Sequence, residues 1–362
     1  MKLAERVTQI TPSVTMAVKR AADELKRRGV DVIDLGPGEP DFPTPEHIKR
    51  AAQEALAQNF TKYTAETGIW ELRDAIAQKY NREYGTHYTA ENVLVTSGAK
   101  QALYNIAAAL LEPGDEVLIP IPYWVSFPEQ IKLVGAKPVL IQPKGDFQVS
   151  ADLIKEYMTQ RTKALILNSP NNPAGVVLDR KQLQKIVELA QHHRLWVIYD
   201  ECYEKFLYEG EHVSVVECDT ERAIAVSSAS KTYAMTGWRI GWSVAPKELT
   251  QAMAAVQSHT TSHPSSISQK AAVAALTGDQ SCVQQMLAEY RKRREFVLRE
   301  LRAIDGIEFT VPQGAFFVFP NVERFFNEQI KNSVDLARFL LECHHVAVVP
   351  GAAFGAEGYM RI

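Results

Sequence analysis

From residue 93 onward, short runs of aliphatic and β-branched residues alternate with longer stretches whose apolar positions recur at helical spacing. Val93–Thr96, Glu116–Ile119, Pro138–Ile141, Ala164–Asn168, Trp196–Tyr199, Ala223–Ser227 and Ile240–Ala245 read as strands. Several are apolar without interruption, the pattern of strands buried on both faces. Gln101–Leu111, Ser126–Leu133 and Leu183–His192 read as helices, with turns at Gly114-Asp115 and Pro143-Lys144-Gly145-Asp146. This alternation predicts an α/β chain with a mainly parallel sheet wound by helices. After about Pro246 helical periodicity takes over, and Asp279 is predicted to cap a long amphipathic helix reaching about Arg302. Short strands near Ile307–Thr310, at Phe316–Phe319 and at Val346–Val349, with a helix at Val334–His344, then predict a small α+β domain. No repeat, low-complexity tract or Gly/Ser linker separates the two parts, so they are expected to share an interface through the long helix.

Composition narrows the function classes. A chain of 362 residues with 46% hydrophobic and 23% charged residues fits a globular protein of about two domains and excludes disordered, collagen-like and coiled-coil classes. Forty Lys and Arg against 43 Asp and Glu, a net charge of -3, leave no basic excess for nucleic acid. The clusters Lys26-Arg27-Arg28 and Arg291-Lys292-Arg293-Arg294 lie in helix-like stretches and read as solvated faces. Cys202, Cys218, Cys282 and Cys343 form no C-x-x-C pair, which argues against a disulfide framework or a zinc site and fits the cytoplasm. The N-terminal residues Met1–Arg6 meet charge at once, and no window approaches a membrane span, so neither export nor membrane insertion is expected.

In open α/β sheets ligands gather at the carboxyl ends of strands. Val93–Thr96 is followed by Ser97-Gly98-Ala99-Lys100, a small-residue turn into a helix, which suits either a helix cap or an anion site. Ala164–Asn168 runs into Ser169-Pro170-Asn171-Asn172-Pro173-Ala174-Gly175, a rigid loop carrying side-chain amides. Trp196–Tyr199 ends in Asp200, with Glu201 and Tyr203 close behind. A carboxylate buried there is expensive unless paired, so it is expected to cap a helix or face a cation. Ala223–Ser227 leads to Ser228-Ala229-Ser230-Lys231, with Arg239 following at the start of another apolar run. That pattern suits an amine in an enclosed pocket beside a guanidinium able to grip a phosphate.

The segments Ser228-Ala229-Ser230-Lys231, Met235-Thr236-Gly237-Trp238-Arg239-Ile240-Gly241, Ser169–Gly175, Tyr199–Tyr203, Pro122-Tyr123-Trp124, Gly38-Glu39-Pro40-Asp41-Phe42 and Tyr359-Met360-Arg361 resemble the class I aminotransferases in order and spacing. These are pyridoxal 5′-phosphate (PLP) enzymes of the aspartate aminotransferase fold, and the resemblance runs over essentially the whole chain. It implies an N-terminal arm with part of a small domain over residues 1–44, a large PLP-binding domain over 45–285 and a small C-terminal domain over 286–362. It also implies that Lys231 carries PLP as a Schiff base and serves as the catalytic base, its pKa lowered by desolvation and a nearby cation. Asp200 would keep the ring nitrogen protonated, and Asn172 and Tyr203 would bond the ring's phenolic oxygen. Trp124 would stack on the ring, a role weighed against ordinary core packing. Gly98, Ala99, Ser228, Ser230 and Arg239 would cradle the phosphate, joined by Tyr63 from a second subunit, because the family's site lies at a homodimer interface.

The same resemblance assigns Arg361 to the substrate α-carboxylate, with Gly38 allowing close approach and Trp124 and Asn172 also lining the substrate side. Lys100 sits where the prokaryotic-type aspartate aminotransferases are held to place a lysine for the distal carboxylate; a solvated lysine is the alternative reading. The implied reaction passes an amino group from aspartate to 2-oxoglutarate in two half-reactions, giving oxaloacetate and glutamate. Alternatives are an aromatic, prephenate or alanine aminotransferase, and more remotely a non-enzymatic PLP-fold binding or regulatory protein. A nicotinamide dehydrogenase lacks its Gly-rich motif here. His259 and His263 could share a helix face for a metal but have no ligand partners in the pattern, so no metal is expected. Ala174 departs from the family's usual Thr. The chain also stops at Arg361-Ile362 where the family continues, which predicts Arg361 on a frayed end and weakened substrate binding.

Overall fold

The computed structural model describes residues 4–143, 145–218 and 220–362. Met1–Leu3, part of the segment read for a leader, and Lys144, within the turn expected at Pro143–Asp146, lie outside them. After a short first strand, β1 (Ile33–Asp34), the predicted strands appear as β2 (Val93–Thr96), β3 (Glu116–Pro120), β4 (Lys137–Ile141), β5 (Thr162–Asn168), β6 (Trp196–Asp200), β7 (Ala223–Ser228) and β8 (Gly241–Val244). They form one seven-stranded sheet in the order β2-β8-β7-β6-β5-β3-β4. All neighbours are parallel except β8, which runs antiparallel to both β2 and β7.

Alternate side chains leave the sheet on opposite faces, and both faces are covered. Leu165, Leu167, Val197 and Tyr199 join Leu183 and Ile186 of the helix Arg180–His192 on one side. Ala164, Ile166 and Ile198 meet Leu103 and Ile106 of the helix Ala99–Leu110 on the other. This double burial explains the uninterrupted apolar runs.

The long helix spans Ser281–Arg302, and Gln280 rather than Asp279 occupies its cap position. Asp279 still serves that end, its carboxylate accepting from the Ser281 N–H at 3.0 Å. Two further expectations change. The strand expected at Phe316–Phe319 lies later, as β10 (Pro320–Asn321), which pairs with β9 (Glu308–Phe309); Phe317 and Phe319 are buried in two different apolar clusters. The single strand expected at Val346–Val349 is two: β11 (Val346–Ala347) pairs with β1, and β12 (Val349–Pro350) pairs with β13 (Met360–Arg361). The N-terminal segment is thereby joined to the C-terminal region. The helix expected at Val334–His344 begins at Ser333, capped by Asn332. Among the described residues no helix is long and apolar enough to cross a membrane.

Candidate active site

Strands β2, β5, β6 and β7 all end at one edge of the sheet, because they share a direction. The antiparallel β8 begins at that same edge, so Arg239, just before it, arrives beside residues that follow the other strands. There a cavity of about 420 Å³ is lined by Gly38, Ala99, Lys100, Trp124, Asn172, Asp200, Tyr203, Ser228, Ser230, Lys231, Arg239 and Arg361. Residues more than 300 positions apart in the chain thus share one space.

Lys231 lies in the short helix Ala229–Thr232 directly after β7, and its ammonium donates to the Gly38 carbonyl. Burial pushes its pKa down to about 8; Arg361 and Arg239 act in the same direction, against Cys202 and Glu39. Asp200, the last residue of β6, is 5% exposed and accepts from the Cys202 N–H at 3.1 Å. Burial pushes its carboxyl up to about 6, although that hydrogen bond opposes the shift. Asp200 forms no ion pair with another described residue, and its carboxylate's hydrogen bond from the Cys202 N–H, two residues on, is of the capping kind.

Asn172 organises the loop after β5. Its N–H donates to Asn168 Oδ1 at 2.7 Å, its Oδ1 accepts from Arg361 at 3.0 Å, and its Nδ2 faces the Tyr203 hydroxyl at 3.5 Å. Burial raises the Tyr203 pKa, keeping the hydroxyl protonated. Ala174, the departure from the motif, packs its methyl with Ile121 and Phe319, and its N–H is taken by Asn171 Oδ1 at 2.9 Å.

Arg361 is the main correction at this site. It is 3% exposed rather than frayed, because β13 is paired to β12 and Ile362 exchanges two 3.0 Å backbone hydrogen bonds with Val318. Its guanidinium lies 4.5 Å from the Phe317 ring centre and donates to the Gly36 carbonyl at 2.6 Å. Burial lowers its pKa to about 10, and Nε is buried without a partner among the described residues. Each terminal nitrogen spends one N–H inside the protein and keeps another.

At the opposite end, Arg239 adopts φ 57° and donates to the Thr236 and Ser97 carbonyls at 2.8 and 3.3 Å. Gly98, with φ 84°, does not line the cavity but makes room for this side chain: a Cβ there would lie 2.3 Å from the guanidinium. The Ser228 hydroxyl accepts from the Ser230 N–H at 3.3 Å. Lys100 carries its ammonium 5.0 Å from the Trp124 ring centre, and burial followed by Arg239 lowers its pKa. Glu201 points away from the cavity into a buried set in which Tyr80 donates to it at 2.6 Å and Lys79 pairs with Glu204 at 2.8 Å. That set clamps the segment after Asp200 to the helix Trp70–Tyr84.

Tyr63 stands apart. It is 92% exposed, does not line this chain's cavity, and meets His263 edge-on. His259 and His263 share no helix face, because the helix Lys247–Ser258 ends before both, and His263 accepts from the Thr64 N–H. Sequence reasoning missed Thr15, Met16, Lys19, Gly36 and Cys202 on the cavity wall. Cys202 occupies the variable position of the Asp-Glu-x-Tyr segment. Nothing in the helical periodicity of residues 14–27 marks that helix as a wall of the site.

The chain matches the family described as aminotransferase class I and II over residues 30–362. It is 43% identical to an aspartate aminotransferase of Geobacillus stearothermophilus, across 100% of this chain and 94% of that protein. An aspartate/prephenate aminotransferase of Thermus thermophilus is 44% identical across 99% of this chain and 93% of the relative. The solved aspartate aminotransferase of Thermus thermophilus with maleate superposes with a TM-score of 0.96 at 44% identity, covering 100% of this chain and 94% of that one.

Proposed function

Since the chain belongs to the class I and II aminotransferases, we propose that this aminotransferase uses PLP to move the amino group of aspartate to 2-oxoglutarate. The observation that carries the reading is the charge pattern of the cavity: a buried amine, a buried carboxylate with no ion pair among the described residues, two guanidiniums and two further lysines line one space. The residues fit PLP. Asp200 needs a cationic partner and would hold a proton on the ring nitrogen. Arg239, Ser228, Ser230 and the helix start at Ala99 offer donors to a phosphate, with Gly98 making space. Asn172 and Tyr203 would bond the phenolic oxygen, and Trp124 would cover a ring face. When bound, PLP supplies the aldehyde that takes up the amino group and a ring that accepts electron density from the substrate Cα.

Lys231 would bind PLP covalently through its amine and, once displaced, carry the proton between the substrate Cα and the cofactor carbon. Arg361 would hold the α-carboxylate through its remaining N–H groups, with Gly38 admitting the substrate, and Lys100 would meet the distal carboxylate. We place Tyr63 in the phosphate site of a partner subunit in a cytoplasmic homodimer. The exposed Leu56, Tyr63 and Trp70 support a covered face there, and free cysteines suit a reducing compartment. The domain division is residues 1–44 and 286–362 in a small unit and 45–285 in the large one, supported by the β1–β11 pairing.

The direct test is the absorbance of the PLP-loaded protein on addition of aspartate without an oxo acid. Conversion to the amino form of the cofactor is expected; conversion with phenylalanine or alanine but not aspartate would refute the acidic specificity. Lys100→Ala is expected to lower the ratio of kcat/KM for aspartate to that for phenylalanine by about tenfold, the size of one lost charge-assisted hydrogen bond. Equal losses for both substrates would remove Lys100 from side-chain recognition. A pH prediction follows from Lys231. Only its neutral amine attacks an aldehyde, so the rate of PLP capture by the apoprotein should rise with pH and level off above about 8. Levelling near the ordinary lysine value would mean that the amine is not desolvated.

A further inference from the structure

The helix Val14–Arg27 forms a wall of the cavity that no role above explains. Its ends are anchored to two parts of the molecule. Just before it, the Thr11 N–H donates to Glu129 at 2.9 Å; further along, Ala22 is buried with Leu341 and Ala347, and Lys26 pairs with Asp34 at 3.0 Å. Lys19, on this fixed helix, lines the cavity and is half-buried. Its ammonium has no ion pair or hydrogen bond among the described residues.

Charge balance gives this lysine a task. With PLP and an α-carboxylate in place, Lys231, Arg239, Asp200 and Arg361 are all engaged. Glu39, the remaining acid on the wall, accepts from the Thr236 hydroxyl at 2.7 Å and keeps its single negative charge. Lys19 and Lys100 then outnumber Glu39 among the charges left on the cavity wall, which disfavours an apolar substrate side chain and favours an anionic one.

We propose that Lys19 is a specificity-determining residue, its ammonium joining that of Lys100 around the distal carboxylate of a dicarboxylic amino acid or 2-oxo acid. Two lysines suit this task better than one arginine. The paired half-reactions must accept four-carbon and five-carbon diacids in the same site, so the distal carboxylate shifts by one methylene between them. Ammoniums on flexible four-carbon stems can follow that shift, whereas a planar guanidinium fork favours one geometry. The inference rests on the dicarboxylate reading given above.

The test uses the PLP-loaded enzyme and its Lys19→Gln, Lys19→Arg and Lys100→Gln variants. Binding of succinate and of 3-phenylpropionate, neither of which can react, is measured by calorimetry, and kcat/KM is measured for aspartate and phenylalanine. Lys19→Gln is expected to weaken succinate by about tenfold and 3-phenylpropionate by less than about threefold, with a similar fall in the aspartate-to-phenylalanine ratio. Lys19→Arg should recover most of the succinate affinity. If the unsubstituted enzyme favours aspartate and succinate while Lys19→Gln leaves both preferences within about twofold, the Lys19 inference falls and the dicarboxylate reading stands. An unsubstituted enzyme that favours phenylalanine and 3-phenylpropionate overturns both.

Discussion

Replacing Lys231 with Ala is expected to slow conversion of aspartate in a single turnover by about 10⁴-fold, the upper range for losing a positioned acid–base group. The variant should also fail to retain cofactor mass after borohydride reduction, because the amine that binds PLP covalently is gone. Two features of the site make this lysine hard to replace. Burial lowers its pKa to about 8, so a useful fraction is neutral near physiological pH, whereas an exposed lysine would be almost wholly protonated. Its position in the short helix after β7 brings that amine to the cavity that Asp200 also lines, where it donates to the Gly38 carbonyl. Lys231→Arg should not restore the rate, since a guanidinium stays protonated and cannot attack an aldehyde. A Lys231→Ala rate within about tenfold of the parent would sink the assignment.

Arg361→Ala should lower kcat/KM for aspartate by about 10² to 10³-fold, within the roughly 2–5 kcal/mol attached to truncating one partner of a buried, hydrogen-bonded charge pair. Two losses add here. The α-carboxylate loses its fork of N–H groups, and Asn172 Oδ1 and the Gly36 carbonyl lose their donor inside the protein. Loss of the second kind should also lower thermal stability, so the melting temperature must be measured beside the kinetics. Arg361→Lys keeps the charge but cannot span both internal acceptors and the substrate, and should recover only a minor part of the activity. A loss confined to stability, with kcat/KM restored at low temperature, would show that Arg361 serves the fold alone.

The seven strands of the large sheet were legible to within a few residues because each is apolar, short and bounded by turn residues. Lys231, Asp200, Asn172 and Arg239 could be picked out because each follows or precedes such a strand in a segment too polar or too small-residued for a plain core. Other features left no local trace. The direction of β8 was not readable, since an apolar run reports burial on two faces and not the neighbour it pairs with. The break between β11 and β12 was invisible because four apolar residues in a row look alike whether they serve one sheet or two. Lys19 looked like any lysine on an amphipathic helix.

By itself, then, the amino-acid order determined the secondary structure of the sheet, its layering and the chemistry available at each strand end. Those properties depend on residue type and spacing within a window of a few turns. Tertiary structure alone decided which of these groups meet. It buried Arg361 through pairing between β12 and β13, brought Arg239 to the carboxyl edge through the reversal of β8, and set Lys19 beside the cavity by packing Ala22 of the same helix with Leu341 and Ala347. Each arrangement joins segments far apart along the chain, and such pairings depend on packing and hydrogen bonding that no local pattern encodes.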